Sequence, residues 1–248
     1  MTAASGPSAL PGVWSFASDR PGPHVMITGL THGNEPAGLV AISRLLDDGV
    51  RPLQGWLTLA LVNPEAHAHG RRFIDRDMNR LWRDDWLDDD RASIEAARAR
   101  TLRPLLREVD ALLALHTTAF VARPFFVLAD LAKHRAIADR MTWPATQQLM
   151  PGGCGEGRHL TDYGAFADPA HPAVALSVEC GMHDDATSGA VAIETARRFL
   201  TALGTIDGEP APTPGPIERF RTVGACIAKT DRFELRIPTS GFVAVDKG

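Results

Sequence analysis

His32 and Glu35 stand at His-x-x-Glu spacing, directly after an apolar stretch that predicts a buried strand. A turn at this point directs both side chains toward the carboxyl edge of a sheet, where open α/β sheets place their ligand sites. Imidazole nitrogen and carboxylate oxygen are atoms that zinc accepts, and a catalytic zinc site usually has three protein ligands and a water. The spacing alone more often reflects a loop histidine beside a glutamate that starts a helix. It therefore indicates a metal site only if further ligands lie nearby.

Two further polar residues end predicted strands. His116 ends the segment ALLALH, and Glu179 ends AVALSVE. A histidine at a strand end is more often structural or exposed than a ligand, but here it could supply a third ligand at the same sheet edge. A carboxylate that ends a buried strand must be paired, hydrated or used in chemistry. The sequence thus predicts metal ligands and a general base at the ends of three strands.

The segment RRFIDRDMNRLW adds fixed positive charge. Arg72 and Arg80 could each bind a carboxylate through two hydrogen bonds, and Asn79 could donate to the same group. The alternative is an ordinary loop in which Asp75 and Asp77 pair with neighbouring arginines, since exposed pairs of this kind are common and weak.

The elements that must position these residues alternate between strands and helices, which indicates an α/β layer architecture. The apolar runs predict strands at residues 24–30, 56–62, 109–116, 124–128 and 172–179. Helical patterns follow at residues 36–49, 91–108 (mostly exposed) and 186–203. The acidic run at residues 84–90 is more typical of a solvated loop that leads into a helix than of a cation site.

The composition after Leu203 differs from that of the preceding chain. Residues 1–203 are predicted to form the catalytic unit, and the Pro- and Gly-rich residues 204–216 are predicted to be a linker. Residues 217–248 contain short β-like pieces, too few to bury a core alone. We expect them to pack on the main domain, to pair with another chain, or to begin a longer unit.

The overall composition excludes some functional classes. The 248 residues are 44% hydrophobic and carry a net charge of −4 without any run of Lys or Arg, so nothing indicates nucleic-acid or membrane binding. Cys154, Cys180 and Cys226 lack paired spacing and are expected to be idle thiols in a reducing cytosol. Neither a signal peptide nor an apolar run long enough to span a bilayer is evident, so a cytoplasmic protein is expected.

Five segments in order resemble the succinylglutamate desuccinylase and aspartoacylase family, within the zinc carboxypeptidase clan. They are GLTHGNEPAG, LVNPEA, RRFIDRDMNR, ALHTT and SVECG, and they span residues 29–181. The resemblance covers roughly the first 200 residues. It implies a three-layer α/β/α fold with a central mixed sheet, followed by a β-rich C-terminal domain into which this chain is expected to extend only part of the way.

The resemblance also implies roles for individual residues. One zinc ion per chain would be held by His32, Glu35 and His116, and Glu179 would be the general base. Arg72 would polarise the scissile carbonyl. Asn79 and Arg80 would hold the substrate's carboxylate, and Asp77 would orient those groups or a ligand. Iron or cobalt could replace zinc, since the order of affinities does not fix the occupant.

The resulting function is hydrolysis of a small, carboxylate-bearing N-acyl amino acid. Two alternatives remain open: a carboxypeptidase that acts on peptides, and a catalytically idle binding protein. Tyr163, in a loop with Arg158 and His159, could contact the substrate or serve packing. The remaining histidines near the motifs are interpreted as surface or orienting residues: His67, His69 and His183. Unpaired strand edges in a short β segment would make a homo-oligomer feasible.

Overall fold

The computed structural model describes residues 6–7, 10–89, 92–151, 157–208, 215–224, 228, 230, 232, 234 and 241–244. Nine strands in these residues form one mixed sheet. In chain order they are β1 (Gly6–Pro7), β2 (Val13–Ala17), β3 (His24–Gly29), β4 (Trp56–Leu61), β5 (Ala111–Thr118), β6 (Phe125–Ala129), β7 (Thr146–Met150), β8 (Val174–Met182) and β9 (Glu218–Arg221).

The order across the sheet is β1-β2-β4-β3-β5-β8-β6-β7-β9. Its centre, from β4 through β3 and β5 to β8, is parallel, whereas β2 and β6 join their neighbours β4 and β8 in antiparallel fashion. The central strands are buried on both faces, as expected where helices cover a parallel sheet on both sides. Their carboxyl ends therefore meet at one edge.

The described residues also form six α-helices. They are α1 (Ala37–Asp47), α2 (Pro64–Ala68), α3 (Asp84–Asp88), α4 (Ile94–Leu106), α5 (Ala132–Met141) and α6 (Ser188–Ala202), with short 3₁₀ turns at Met78–Arg80, Leu160–Asp162 and Gly164–Phe166. No helix in the described part of the chain is both long and apolar enough to cross a membrane.

Two hydrophobic clusters lie on opposite faces of the sheet, so the sheet is the middle layer between two layers of helices and turns. On one face, α1, α5 and α6 pack on alternate strand residues such as Val25 and Ile27. On the other face, α4 and the turns around Trp82 and Phe166 pack on the intervening residues such as Met26. The alternation follows from the two-residue period of a strand. The predicted three-layer α/β/α fold is confirmed.

Some element predictions need correction. Helix α4 is not mostly exposed, because one of its faces, including Ala96, Ala99 and Leu102, is buried against the sheet. The acidic run forms helix α3 rather than a loop. Cys180 is a buried free thiol in the core, as expected, whereas Cys154 and Cys226 lie outside the described residues.

The described part of the C-terminal region begins by adding to the main sheet. Strand β9 pairs in parallel with β7, and Gly241 donates a backbone hydrogen bond to Val121. Most of residues 209–248 lie outside the described part, so the predicted linker and the division into two domains stay predictions.

Candidate active site

The site begins where strand β3 ends. Leu30 has a positive φ of 54°, a conformation that a leucine rarely adopts, and it turns the chain sharply into Thr31 and His32. Gly33 follows in close contact with backbone, since a Cβ there would lie 2.3 Å from the carbonyl carbon of Ala66. The turn thus brings His32 and Glu35 over the carboxyl edge of the sheet.

Neighbouring parallel strands bring two more predicted residues to this edge. His116 of β5 and Glu179 of β8 are register partners, and a register shift follows between His116 and Thr118. Both residues line one cavity of about 390 Å³ together with His32 and Glu35. The four residues predicted to hold the metal and move the proton therefore meet in one place.

Glu35 lies between the two imidazoles. Its Oε1 is 2.8 Å from Nδ1 of His32, and its Oε2 is 2.8 Å from Nδ1 of His116. Burial alone would raise the pKa of Glu35, but His116 and His32 outweigh it and hold that pKa well below its usual range. The carboxylate is thus ionised and shared between two ring nitrogens.

The opposite side of the His32 ring faces Asp77. Nε2 of His32 lies 3.0 Å from Oδ1 of Asp77 and 2.9 Å from Nη2 of Arg72. Burial acts to lower the pKa of His32, but its hydrogen bonds with Asp77 and Glu35 raise it overall. Asp77 would orient the ring through Nε2, and Nδ1, on the side of Glu35, is then the ring nitrogen that could bind an ion, as in a carboxylate-oriented metal ligand.

This donor set fits a divalent ion. One ligand atom each from His32, Glu35 and His116 can be chosen so that all lie within 4.8 Å of one another, and all three residues are buried. Two nitrogens and a carboxylate oxygen form the protein ligand set of many catalytic zinc sites. Nε2 of His116 and Oε2 of Glu179 are shielded from solvent and have no hydrogen-bond partner among the described residues.

Glu179 stands apart from this cluster within the cavity. Burial raises the pKa of Glu179 and the charge of Glu35 adds to the effect, although His116 opposes it. A raised pKa makes a carboxylate a stronger base, which suits a group that accepts the proton of a water molecule.

The loop after Arg71 brings the predicted substrate-binding residues to the same cavity. Arg72, Asn79 and Arg80 all line it. Asn79 accepts a hydrogen bond from the backbone of Leu160 through Oδ1, at 2.9 Å, which anchors one loop on the other. His159 also lines the cavity, and burial lowers its pKa to about 4, with the charge of Arg80 adding to the effect.

Tyr163 is not brought to the cavity. Its ring is buried beside Trp82, and its hydroxyl donates to Asp84 at 2.7 Å and accepts from Arg107. Asp84 belongs to the acidic run, whose first residue thus pairs with protein groups. His67 binds the carbonyl of Gly33, and His69 is an exposed residue at the end of α2. His183, in contrast, lines the cavity and contacts Thr117 at 2.7 Å.

Sequence reasoning missed an apolar wall of the cavity. Phe120, Phe125, Val127 and Met150 contribute apolar lining to this cavity. A neighbouring groove shares Phe120 and Phe125 and continues along Phe220 and Phe242. The alternation of β6 could have placed Phe125 and Val127 on one face, but nothing in the sequence indicated which face adjoins the site.

Comparison with known proteins identifies relatives of this chain. The model of the succinylglutamate desuccinylase/aspartoacylase catalytic domain matches residues 21–150, more than half of the chain. A succinylglutamate desuccinylase of Serratia proteamaculans is 27% identical over 246 residues, which cover 90% of this chain and 72% of that protein. A zebrafish (Danio rerio) N-acyl-aromatic-L-amino acid amidohydrolase is 34% identical over 109 residues, which cover 38% of this chain and 34% of that one.

The fold agrees with a solved structure as well. The succinylglutamate desuccinylase/aspartoacylase from Rhodobacter sphaeroides superposes with a TM-score of 0.68 at 22% identity, over 84% of this chain and 64% of that one. The chain thus spans less than two thirds of that structure. Because the family model matches more than half of its residues, this chain belongs to the succinylglutamate desuccinylase/aspartoacylase family.

Proposed function

We propose that this protein is a zinc-dependent hydrolase that cleaves the amide bond of a small N-acyl amino acid, with one zinc ion per chain. The observation that carries the proposal is the joint presence of a His-Glu-His cluster, a separate carboxyl group and a pair of arginines in one cavity. Relatives named as a desuccinylase and an amidohydrolase support the same reaction class.

His32, Glu35 and His116 would hold the metal. When bound, zinc lowers the pKa of a water ligand to about 7 and polarises an amide carbonyl. Glu179 would take the proton from the attacking water and pass it to the leaving amine nitrogen, which releases a free amino acid and a carboxylic acid. The shielded Oε2 of Glu179, which has no described partner, supports this role.

Arg72 would stabilise the negative charge that develops on the carbonyl oxygen. Its guanidinium now contacts Glu35 and Asp77, at 3.3 and 3.2 Å, so it already lies beside the cluster and is partly exposed to the cavity. One well-placed donor of this kind typically contributes about 3–4 kcal/mol to the barrier reduction. Asp77 would hold both Arg72 and His32 in position.

Asn79 and Arg80 would bind the carboxylate of the substrate. Both side chains line the cavity, and Arg80 also donates to the backbone carbonyl of Asn79 at 3.0 Å. An arginine and an amide are suited to bind a planar carboxylate. The partner of the site is thus a small molecule with a carboxylate near its scissile amide.

A second candidate function is that of a carboxypeptidase. The apolar groove beyond Phe120 and Phe125 continues from the cavity and could accept a longer peptide. N-acetyl amino acids and dipeptides with the same C-terminal residue separate the two candidates. Hydrolysis of the acetylated compound alone supports the deacylase, whereas preference for the dipeptide would replace it with the carboxypeptidase.

Metal content tests the site itself. Plasma mass spectrometry of the purified protein should find about one zinc per chain, and His116→Ala should lose it. His183→Ala is the matched control, because His183 lines the same cavity but lies outside the cluster. Full zinc content in His116→Ala would remove this residue from the metal site, and wild-type protein that binds no zinc would favour the idle binding protein.

A further inference from the structure

A fully buried carboxylate outside the cavity takes no part in the proposed reaction. Glu95 is the second residue of α4 and is 0% exposed. Its Oε1 accepts hydrogen bonds from the backbone N–H of Ile74 at 2.7 Å and from the side chain of Asn63 at 3.2 Å. Its Oε2 accepts from the backbone N–H groups of Asp75 and Arg76, both at 3.1 Å. A buried charge with four donors is strongly fixed in place.

Three of these donors, the backbone N–H groups, belong to the loop that carries the proposed functional residues. Ile74 comes two residues after Arg72, and Arg76 comes directly before Asp77. The connection is reciprocal, because Oδ2 of Asp75 accepts the backbone N–H of Ile94 at the start of α4, at 2.8 Å. The loop and the helix therefore satisfy each other's unpaired backbone groups.

The other end of the loop is fixed beside the metal cluster. The carbonyl of Arg72 accepts the backbone N–H of Gly33, the residue after His32, at 3.0 Å. Asn63, whose side chain reaches Glu95, also caps α2 by accepting the N–H of Ala66. The loop is therefore held by Gly33 at one end and by Glu95 at the other, so its side chains have little freedom to shift.

We propose that Glu95 is a positioning residue: by binding the backbone at residues 74–76 it holds Arg72 and Asp77 against His32 and Glu35. Glu95 touches neither the cavity nor the substrate, and its effect on turnover is exerted through the loop. The kinetic part of this inference rests on the proposed hydrolase activity, whereas its structural part does not.

The variant Glu95→Gln isolates the contribution of the carboxylate. It keeps the shape of the side chain but turns an amide NH₂ group toward backbone N–H donors, so at least one donor loses its partner. Glu65→Gln is the matched control. It removes the same charge from the nearby helix α2, but the Glu65 side chain is 56% exposed. If Glu95→Gln does not fold, Glu95→Asp, which keeps the charge but shortens its reach, takes its place.

Hydrogen exchange followed by mass spectrometry tests the structural part. Peptides that contain residues 72–80 should exchange at least about 10-fold faster in Glu95→Gln than in wild type, while peptides from β5 should not change. Glu65→Gln should match wild type throughout. Unchanged exchange at residues 72–80 in a folded Glu95 variant would overturn the proposal.

Steady-state kinetics of the zinc-loaded proteins test the kinetic part. Glu95→Gln should lower kcat at least about 10-fold with unchanged zinc content. In an Arg72→Ala background the same substitution should lower kcat less than about 3-fold, because Glu95 and Arg72 act as one unit. An equal loss in both backgrounds would overturn the positioning role. Absence of hydrolysis by wild type would instead overturn the proposed function and would leave the exchange result valid.

Discussion

At the scale of single residues, Glu179 offers the sharpest test of the proposed chemistry. Glu179→Gln keeps the size of the side chain but cannot accept a proton, so turnover should fall at least about 100-fold. Zinc content should not change, since Glu179 lies outside the metal cluster. Steady-state kinetics on an N-acetyl amino acid, with zinc measured on the same sample, check both statements.

A control variant tests whether any change in the wall of the cavity lowers turnover. Ser177 lies two residues earlier on β8 and also lines the cavity, so Ser177→Ala alters the same wall without removing an acid. It should keep turnover within about 3-fold of wild type. If Glu179→Gln retained the wild-type rate, another residue would have to act as the general base.

How well single residues could be predicted depended on the motif in which they lie. His32, Glu35, His116 and Glu179 were recognisable because each lies beside or within a predicted strand, and the ends of parallel strands meet at one sheet edge. Tyr163 was harder to assign, since whether a loop residue faces a cavity or the core depends on contacts with distant residues such as Asp84.

Glu95 shows the same limit more clearly. In the sequence it is one acid near the start of a helix, where a favourable effect on the helix dipole is sufficient explanation. Three of its four hydrogen-bond partners are backbone groups about 20 residues away, in a loop whose path no periodicity predicts. Contacts of this kind can be identified only in the folded structure, because they depend on the path of the loop.

At the scale of elements, the turn between β3 and α1 depends on a close backbone contact at Gly33. Its three nearest neighbours, in Ala66, His67 and Arg71, are all backbone atoms within 2.3–2.5 Å of an added Cβ. They cannot move aside as a side chain can, so Gly33→Ala should destabilise the fold by about 1–3 kcal/mol. Urea unfolding measures this loss.

Gly215→Ala is a suitable control, because a Cβ at Gly215 would meet no atom within 4 Å. It should change the free energy of unfolding by less than about 0.5 kcal/mol. Equal stability of Gly33→Ala and wild type would mean that the turn can open, and the contact of Gly33 with the Arg72 carbonyl would then not fix the loop.

The strongly apolar elements could be predicted from the sequence, whereas the marginal ones could not. Strands β3, β4, β5 and β8 are continuous apolar runs because helices bury both of their faces. The elements that were not predicted include strands β2 and β7 and helix α5. Half of the residues in the segment AKHRAIADRM of α5 are polar or charged, and the helix buries only His134, Ala138 and Met141, so its apolar face is too narrow to give a helical pattern.

At the scale of the whole molecule, the alternation of strands and helices predicted an α/β layer architecture, and the family resemblance predicted its three layers. Neither predicted where the C-terminal region lies. Strand β9 joins the edge of the sheet through backbone hydrogen bonds to β7, and all four of its residues are exposed. A pairing that buries no side chain leaves no hydrophobic pattern in the sequence. The two-domain division predicted from composition therefore remains to be tested.

The stability of the whole fold should depend on pH through His134 of α5. This residue is 0% exposed. Burial lowers its pKa from 6.5 to about 4, and the charges of Lys133 and Arg135 add to the effect. Between these two values the unfolded chain binds more protons than the folded one, so stability is complete above about pH 6.5 and falls as the pH drops toward 4.

His134→Gln removes this proton uptake. The loss of unfolding free energy between pH 7 and pH 5 should then be smaller than in wild type by about 2 kcal/mol, as follows from the two pKa values. Urea unfolding at both pH values measures this change. Only the difference in unfolding free energy between pH 7 and pH 5 counts, because a buried glutamine also alters stability at pH 7.

His69→Gln is the control, since the His69 side chain is 55% exposed and its replacement should leave this difference unchanged. The same difference in His134→Gln as in wild type would mean that the unfolding reaction takes up its protons elsewhere, with His159, whose pKa is also lowered to about 4, as the next residue to replace.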